Sequence, residues 1–293
     1  MRYDISLPIK TVCPTSADFP AHTGNQERDQ NAFRKLSHTK TTSMFRGFRG
    51  NWDRYNLTCR LLYRAWRYRW KIERAEIQFL RKTIQRGQTV VDIGAHKGAV
   101  TYWMQRAVGH WGQVIAFEPQ IELADYLLRI SQALRMDQVT VINCAISSQS
   151  GIKTIARPIG KPWPSAKITD QKQQQEEIIP VEAQTLDDFF LKHSGRPVHF
   201  IKCDVEVHEY SVFRGGMRIL QEDRPTLLFE CERQHHSGQG IDHVFQLLES
   251  LGYKGYFFSK PHGNLRPLCE LCETQLENPQ SKSYTRNFAF LPK

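Results

Sequence analysis

The sequence predicts an α/β fold in which a mostly parallel sheet carries helices on both faces. From residue 90 onward, short apolar segments alternate with amphipathic helical segments of about 10 to 14 residues, which is the pattern of a parallel sheet. The first predicted strand runs into a glycine-containing turn, and Glu118 ends the second predicted strand. Ligands of such sheets bind beyond the carboxyl ends of the strands, so both features fall where a site is expected.

The predicted elements follow one another in a regular order. Strands are expected at residues 90–93, 114–118, 139–145, 198–203, 226–230, 253–258 and 286–291. Helices are expected at residues 98–108, 121–134, 186–193, 207–220 and 241–251. Gly252 is expected to end the last helix in a left-handed conformation. The polar segment between residues 146 and 185, rich in glutamine at residues 171–177, is predicted to be a mobile loop.

Three parts are predicted along the chain. Residues 1–50 are expected to form a flexible tail, because they combine scattered prolines with polar residues and show no sustained periodicity. Residues 51–88 are expected to form a basic helical extension, and residues 89–293 the α/β domain. The net charge of +10 belongs to the N-terminal third: residues 1–90 contain 18 Lys and Arg against 7 Asp and Glu, whereas the remainder is almost neutral.

An amphipathic helix is predicted within the extension, at residues 55–74. Five basic side chains repeat along one side of it at helical spacing, namely Arg60, Arg64, Arg67, Lys71 and Arg74. Two neighbouring arcs carry, respectively, Leu61, Ala65, Tyr68 and Ile72, and Leu62, Trp66 and Trp70. The pattern predicts a solvated basic face beside a packed apolar face. It leaves open a peripheral contact of residues 55–74 with an anionic membrane, or with a phosphorylated substrate.

The composition bounds the class of protein and its location. No segment reaches the roughly 18 to 20 apolar residues of a spanning helix, so an integral membrane protein is not expected. The first residues lack the apolar run of a signal peptide, and seven cysteines at scattered spacings indicate reduced thiols. We therefore expect a cytoplasmic protein, with a peripheral membrane contact left open. No nucleic-acid partner is expected, because nothing after residue 90 extends the basic patch.

Two elements of the sequence point to a cofactor that contains adenosine. The run DIGAHKG at residues 92–98 leaves the first predicted strand, and its glycines allow a ligand to approach the backbone at a helix N-terminus. Glu118 follows 24 residues after Gly94 and can accept hydrogen bonds from both ribose hydroxyls. A dinucleotide would require glycine where this chain has His96, since an imidazole crowds a pyrophosphate. S-adenosylmethionine contains no phosphate and is therefore favoured.

The sequence also resembles a known family, the FkbM-type methyltransferases, over about residues 76–291. The resemblance rests on six motifs: VDIGAHKG at residues 91–98, AFEP at 116–119, NCA at 143–145, TLDDF at 185–189, IKCDVE at 201–206 and LFE at 228–230. It implies the Rossmann-like, seven-stranded class I methyltransferase fold and S-adenosylmethionine as the cofactor. It also implies methyl transfer to a hydroxyl of a carbohydrate, a glycolipid or another small-molecule natural product.

The resemblance further implies a set of cofactor-binding residues. These are Asp92, Gly94, Ala95, His96, Gly98, Glu118 and Asn143. Glu118 is expected at the ribose and Asn143 near the adenine, with the first glycines at the methionine end. Two departures from the family matter: it commonly has Asn in place of His96, and Gly in place of Val207. A β-branched residue disfavours positive φ, so the turn after Glu206 is expected to differ.

Three acidic residues at the end of the fourth predicted strand are candidates for catalysis. Methyl transfer to an alcohol needs a base, and carboxylates can orient a cationic sulfonium. We expect Asp204 to act as the base or orienting group, ahead of Glu206 and Glu209. Glu230 ends the fifth predicted strand in the same region. The histidine pair at residues 235–236 follows it, and such a pair in a loop is more often a solvated surface feature than the border of an acceptor pocket. The same acids could hold Mg²⁺, but no metal site is predicted, since the CxxC pair at residues 269–272 also lacks a second pair.

Two other functions stay open. A nucleotide-sugar or NAD-dependent enzyme would share the Rossmann-like fold, and His96 disfavours it. A non-catalytic, methyltransferase-like module would dock through the basic helix. Retention of Asp92, Glu118 and Asp204 speaks against such a loss of the site.

Overall fold

A computed structural model describes residues 49–160, 162, 166–169, 175–193, 195–232 and 241–293, with side chains from residue 55 onward. Residues 1–48 of the predicted tail at residues 1–50 lie outside the described residues, as does the pair at residues 235–236, whereas Arg49 and Gly50 belong to the first helix. Residues 171–174 of the predicted loop also lie outside the described residues.

Strands and helices alternate through the described chain. The strands are β1 (Thr89–Ile93), β2 (Gln113–Phe117), β3 (Val139–Ile142), β4 (Ala145–Ile146), β5 (Gly151–Pro158), β6 (Lys167–Ile168), β7 (Glu176–Gln184), β8 (Val198–Cys203), β9 (Thr226–Glu230), β10 (Tyr253–Ser259), β11 (Asn264–Pro267) and β12 (Asn287–Pro292). The α-helices are α1 (Arg49–Arg67), α2 (Arg74–Thr83), α3 (Ala99–Val108), α4 (Ile121–Ala133), α5 (Leu186–Lys192), α6 (Glu209–Arg214), α7 (Met217–Glu222), α8 (Ile241–Ser250) and α9 (Thr274–Glu277). A π-helical turn spans Tyr68–Ile72, and a 3₁₀ turn spans Leu268–Glu270.

The main sheet has the strand order β3-β2-β1-β8-β9-β12-β10-β11 in the described residues. The strands from β3 to β9 in this order are parallel, and β12, β10 and β11 are added in antiparallel fashion. All seven predicted strands are present, and β11 adds an eighth at the edge. Strand order reverses between β1 and β8, so a ligand crevice is expected beyond the carboxyl ends of these two strands.

Helices cover both faces of this sheet, as predicted. Val91 and Ile93 of β1 face one side, where they join the apolar residues of α5 to α8 in one core. Val90 faces the other side and joins a second core with α1 to α4. Because both faces are covered, the strands carry apolar residues on both faces rather than at alternate positions only. Leu61 and Leu80 are completely buried in the second core, so the helical extension packs on the domain.

The extension is helical, but it is not one continuous helix. Helix α1 passes into the π-helical turn, which ends at Glu73 with φ −123° and ψ 51°, and α2 begins at the next residue. The indole N–H of Trp103 on α3 donates to the carbonyl of Ala65, 2.8 Å away, which ties α1 to the domain.

The predicted helix at residues 207–220 is likewise divided into α6 and α7. A Cβ at Gly215, between them, would lie 2.0 Å from the carbonyl oxygen of Ser147.

A second, four-stranded sheet occupies the segment predicted to be a loop, so that prediction is wrong in its described part. Its strand order is β4-β7-β5-β6, and β5 and β7 form a long antiparallel pair. A small core of Ala145, Ile155, Val181 and Ala183 lies on one side. The guanidinium of Arg157 holds the pair together and ties it to the domain, because it binds Glu177 within the pair and Glu122 on α4.

Candidate functional site

A cavity of about 270 Å³ opens beyond the carboxyl ends of the central strands. The turns after β1, β2 and β8 contribute Gly94, Glu118 and Asp204 to its lining. Two further walls come from elsewhere in the chain. The small sheet contributes Ile155, Ala166 and Ile168, and the helical extension contributes Tyr68, Ile72 and Glu73.

The turn after β1 requires its glycines for steric reasons. Gly94 has φ +77°, and a Cβ there would lie 1.9 Å from the carbonyl oxygen of Asp204. Gly98 has φ +76° and precedes α3, and a Cβ there would meet the side chain of Leu127 at 2.4 Å. Gly94 and Ala95 line the cavity, whereas Gly98 lies behind its surface. Gly94 therefore brings the turn against the end of β8, and Gly98 allows α3 to pack on α4.

His96 occupies the tip of this turn with φ +48° and lines the cavity. Burial is the main cause, and together with the nearby cations Lys97 and Arg64 it lowers the pKa of its imidazole to about 4. Its Nε2 atom is buried and has no hydrogen-bond partner among the described residues. The cavity therefore meets a neutral imidazole here.

Glu118 ends β2 with its carboxylate enclosed at the cavity wall. Its Oε2 accepts the backbone N–H of His96 at 2.8 Å, and its Oε1 accepts the backbone N–H of Gln120 at 3.0 Å. Burial raises the pKa of Glu118 to about 7, against the lowering effect of these two hydrogen bonds. A carboxylate has about four acceptor positions, so two remain for hydroxyl donors. Asn143 supports this segment from behind, donating from Nδ2 to the carbonyls of Glu118 and Pro119 at 2.9 Å.

Asp92 lies beneath the cavity rather than at its surface. It is completely buried, and its Oδ2 accepts the hydroxyl of Thr101 at 2.5 Å. Its Oδ1 lies 3.9 Å from Nζ of Lys202. The same ammonium lies 3.1 Å from Oδ2 of Asp204 at the cavity wall. Lys202 therefore connects a carboxylate under the cavity with one that lines it.

Lys202 is a buried cation that the sequence analysis did not single out. Burial by itself lowers the pKa of this ammonium, but Asp204, Asp92 and Glu73 outweigh it and raise the pKa above the usual value. The lysine is therefore charged at neutral pH. A lysine on an otherwise apolar strand, two residues before an aspartate, was a signal in the sequence, because lysine is rarely buried unless it is paired.

The three predicted catalytic acids occupy different positions. Asp204 and Glu206 line the cavity, whereas Glu209 begins α6, is 2% exposed and lines a smaller pocket with Glu206. Burial raises the pKa of Glu209 to about 8. Because α6 begins only at Glu209, Glu206 and Glu209 do not share a helix face.

The turn between these acids has a strained backbone. Glu206 has φ +50° and Val207 has φ +75°, so Val207 adopts the left-handed conformation that normally favours glycine. Such a conformation costs on the order of 1 to 3 kcal/mol.

The far side of the cavity carries an ion pair from β9 and the segment before β12. Nη1 of Arg286 lies 2.9 Å from Glu230 and 2.8 Å from Glu232. Burial raises the pKa of Glu230 to about 9, with Asp204 adding to the effect. Glu230 is expected in this region from the sequence, whereas Arg286 and Glu73 are not, because neither belongs to a recognisable motif.

Within the part of the chain that the structure describes, no three His, Cys, Asp or Glu side chains are grouped so as to hold a metal ion. The described cysteines are free, and Cys269 and Cys272 are exposed. No helix in the same residues has the length and apolar character needed to cross a membrane.

A comparison with protein families decides what kind of cavity this is. The family model of the methyltransferase FkbM domain matches residues 92–254, more than half of the chain. The chain belongs to the FkbM methyltransferase family. The cofactor of this family is S-adenosylmethionine, and the open acceptor positions of Glu118 and the neutral His96 fit its ribose and its cationic sulfonium. No protein of curated function matches the sequence.

Several solved structures are similar to this FkbM chain. Methyltransferase FkbM from Methylobacillus flagellatus KT has 14% identity and a TM-score of 0.45, over 83% of this chain and 59% of its own. The O-methyltransferase from Bacillus cereus, in complex with SAH, has 14% identity and a TM-score of 0.47, over 90% and 96%. A SAM-dependent methyltransferase from Aquifex aeolicus has 14% identity and a TM-score of 0.39, over 74% and 88%. The chain thus spans 59% of the Methylobacillus protein.

Proposed function

We propose that this FkbM-family protein transfers a methyl group from S-adenosylmethionine to a hydroxyl oxygen of a small molecule. The acceptor class that we favour is a carbohydrate, a glycolipid or a related natural product. One observation carries the proposal: a single cavity has Glu118, with open acceptor positions, at one side and the carboxylates of Asp204 and Glu206 at another. A hydroxyl acceptor needs such carboxylates, since it must lose a proton during the transfer.

The residues of the cavity have different proposed roles. When bound, S-adenosylmethionine supplies an electrophilic methyl group on a cationic sulfonium. Glu118 would accept the ribose hydroxyls through the lone pairs that its two backbone hydrogen bonds leave open. His96 would remain neutral beside the cofactor and so avoid repelling a cation. Asp92, Gly98 and Asn143 would support the cofactor site from behind the cavity surface, while Gly94 and Ala95 form the surface itself.

Among the acids, we propose Asp204 as the base or orienting group. It lines the cavity, and its ion pair with Lys202 at 3.1 Å fixes the position of the carboxylate. A charge that is fixed before reaction stabilises a developing charge without reorganising. Glu206 ranks second because it also lines the cavity, and Glu209 ranks third because it lies in the smaller pocket.

The test is transfer of a labelled methyl group from S-adenosylmethionine into an extract of native small molecules and glycolipids. We expect label in a fraction that resists mild base, as a methyl ether does and a methyl ester does not. Label that appears only in base-labile products, or in none, would contradict O-methylation of a hydroxyl. A thermal shift with S-adenosylhomocysteine but not with NAD would support the cofactor independently.

We also propose that residues 55–74 contact an anionic membrane surface. Leu61 and Ala65 face inward, whereas the adjacent arc of α1 and the π-helical turn faces solvent. This outward arc, which we call the aromatic arc, consists of Tyr55, Leu62, Tyr63, Trp66 and Trp70. Tyr55 and Tyr63 are 64% and 62% exposed. So many exposed aromatic side chains on one helix side are typical of a surface that lies at a membrane interface.

Cations lie directly beside the aromatic arc. The guanidinium of Arg67 lies 5.9 Å from the ring of Tyr63, and the ammonium of Lys71 lies 5.6 Å from the ring of Trp66. Each basic side chain near an anionic bilayer contributes about 1 kcal/mol. Arg64 differs, since it turns inward and donates to the carbonyl of Lys97 at 3.3 Å. We further propose a cytoplasmic location, because seven cysteines at scattered spacings indicate reduced thiols.

A further inference from the structure

The helical extension places Glu73 at the wall of the cofactor cavity. The π-helical turn Tyr68–Ile72 ends at Glu73, where the backbone leaves helical geometry before α2 begins. Glu73 lines the main cavity and also a small side pocket behind it. Local π-helical geometry inside a longer helix frequently occurs at functional sites. Glu73 lies outside residues 92–254, the segment that the family model matches.

The carboxylate of Glu73 differs from the other acids around the cavity in having no assigned partner. Glu118 accepts two backbone N–H groups, Asp204 pairs with Lys202, and Glu230 pairs with Arg286. Among the residues that the structure describes, the side chain of Glu73 makes no hydrogen bond or ion pair. Glu73 is partly exposed where it lines the cavity, so a ligand can reach its carboxylate. Glu73 is therefore free to take a proton from a ligand.

Titratable groups from several elements face this carboxylate. They are Lys202 and Asp204 from β8 and its end, Glu230 from β9, Arg286 from the segment before β12, Glu76 from α2 and Tyr68 from the π-helical turn. Burial is the largest influence and raises the pKa of Glu73 to about 7, although Lys202 acts to lower it. A base with a pKa near the operating pH is effective, because it combines a useful ionised fraction with a strong tendency to take the proton.

We propose that Glu73 is the general base that deprotonates the acceptor hydroxyl, an assignment that rests on the proposed O-methylation. As the acceptor oxygen forms its bond to the methyl carbon, the bond from that carbon to sulfur breaks and its electron pair stays on sulfur. The hydroxyl proton passes to a carboxylate oxygen of Glu73, so the acceptor leaves as a neutral methyl ether. Asp204, held by Lys202, then acts as the orienting group. The acceptor approaches from the wall that the extension forms.

The decisive variant is Glu73→Gln, which keeps the shape of the side chain and removes the base. We expect the rate of labelled methyl transfer into the glycolipid and small-molecule extract to fall by about 10²- to 10⁴-fold, the usual contribution of a general base. The wild-type rate should rise with pH through about 7, and this rise should be absent in the variant. Glu73→Asp, which keeps a carboxylate, should restore part of the rate together with the rise. Affinity for S-adenosylhomocysteine should be unchanged.

Glu76→Gln is the matched control. Glu76 lies in the first turn of α2 and is 9% exposed, and its Oε1 accepts the amide of Asn287 at 2.7 Å. A glutamine can still accept that hydrogen bond, and Glu76 does not line the main cavity. We therefore expect close to the wild-type rate, with the rise moved to a lower pH because the charge of Glu76 raises the pKa of Glu73. An equal loss in both variants would indicate general damage to the extension and overturn the assignment.

Thermal unfolding supplies a readout that needs no turnover. The pKa of Glu73 is higher in the folded state than in the unfolded chain, so its carboxyl favours folding at low pH and loses this contribution as pH rises through about 7. Glu73→Gln should therefore match the wild type near pH 4.5 and melt roughly 2 to 5 °C higher at pH 8. If the wild type transfers methyl groups and Glu73→Gln transfers them at the same rate, Glu73 is not the base, whereas the proposed function stands. Absence of transfer by the wild type would overturn the proposed function and the assignment with it.

Discussion

Two walls of the same cavity are built in opposite ways. In the wall formed by the turns after β1, β2 and β8, the carboxylates of Glu118 and Asp204 already have partners, namely two backbone N–H groups and Lys202. The wall formed by the helical extension carries Glu73 without a partner among the described residues, next to the exposed aromatic arc. Paired groups are held in place before a ligand arrives, whereas an unpaired group keeps its hydrogen-bonding positions open for the ligand. We infer that the first wall serves the cofactor and the second the acceptor.

Asp204 offers the strongest test of the paired wall. Asp204→Asn keeps the side-chain shape but removes the charge opposite Lys202. We expect methyl transfer to slow by about 10²- to 10³-fold, the scale found when one preorganised electrostatic group is removed. The initial rate of label transfer measures this, with the exposed Glu249→Gln as control. Near-normal turnover of the Asn variant would mean that the charge of Asp204 has no part in the reaction.

Glu118 tests the assignment of the same wall to the cofactor. Glu118→Ala should weaken binding of S-adenosylhomocysteine by about 1.5 to 3 kcal/mol, the scale of hydrogen bonds to a charged group. That corresponds to roughly 10- to 150-fold in Kd by calorimetry. Glu73→Gln, on the opposite wall, should leave this Kd unchanged. If both variants weaken binding equally, the two walls do not serve cofactor and acceptor separately. If Glu118→Ala does not weaken binding, Glu118 does not bind the ribose.

The paired wall is also the part that the sequence predicts well. Its strands are buried on both faces, so β8 and β9 are mostly apolar, and both have the predicted bounds. Its turns need glycine for steric reasons, so Gly94 and Gly98 are visible as a motif. Local sequence and local geometry coincide here, and the strand order then brings Glu118 and Asp204 to one cavity.

The other walls depend on contacts between distant segments, which the sequence conceals. Strands β5 and β7 carry Lys153, Glu177 and Pro180 among their apolar residues, so they look like a polar loop. They form a pair because Arg157 binds Glu177 across it, while Ile155 and Val181 meet in a small core. Glu73 resembles an ordinary surface acid in the helical pattern. Only the end of the π-helical turn, set by packing on the domain, directs it inward.

The outer side of the extension can be tested separately from its inner side. Arg60, Arg67 and Lys71 are exposed, whereas Arg64 is partly buried, so the first three are the residues to reverse. Changing them to Glu should weaken binding to phosphatidylcholine vesicles that contain phosphatidylserine by roughly 10- to 50-fold at low salt. Sedimentation with the vesicles measures this. Affinity for S-adenosylhomocysteine should not change, because these side chains do not line the cavity.

A charge-matched control removes the effect of net charge. Lys254, Lys260 and Lys282 are exposed elsewhere on the domain, and their reversal to Glu changes the net charge by the same amount. This control should retain most of the vesicle binding. If the wild type does not bind vesicles but dimerises through the aromatic arc, the arc serves a second copy of the chain instead. That outcome would leave the inner wall and Glu73 unaffected.

The smallest expected effect concerns the strain in the paired wall. Val207 adopts φ +75° in the turn between Glu206 and Glu209, a conformation that a β-branched residue reaches only at a cost. Val207→Gly should therefore raise the free energy of unfolding by about 1 kcal/mol, a net gain after the greater chain entropy of glycine is subtracted. Urea unfolding measures the change, and Val205→Gly is the control. Val205 lacks positive φ and packs against the core, so its loss should destabilise. Destabilisation of similar size in both variants would mean that the packing of Val207 outweighs its strain.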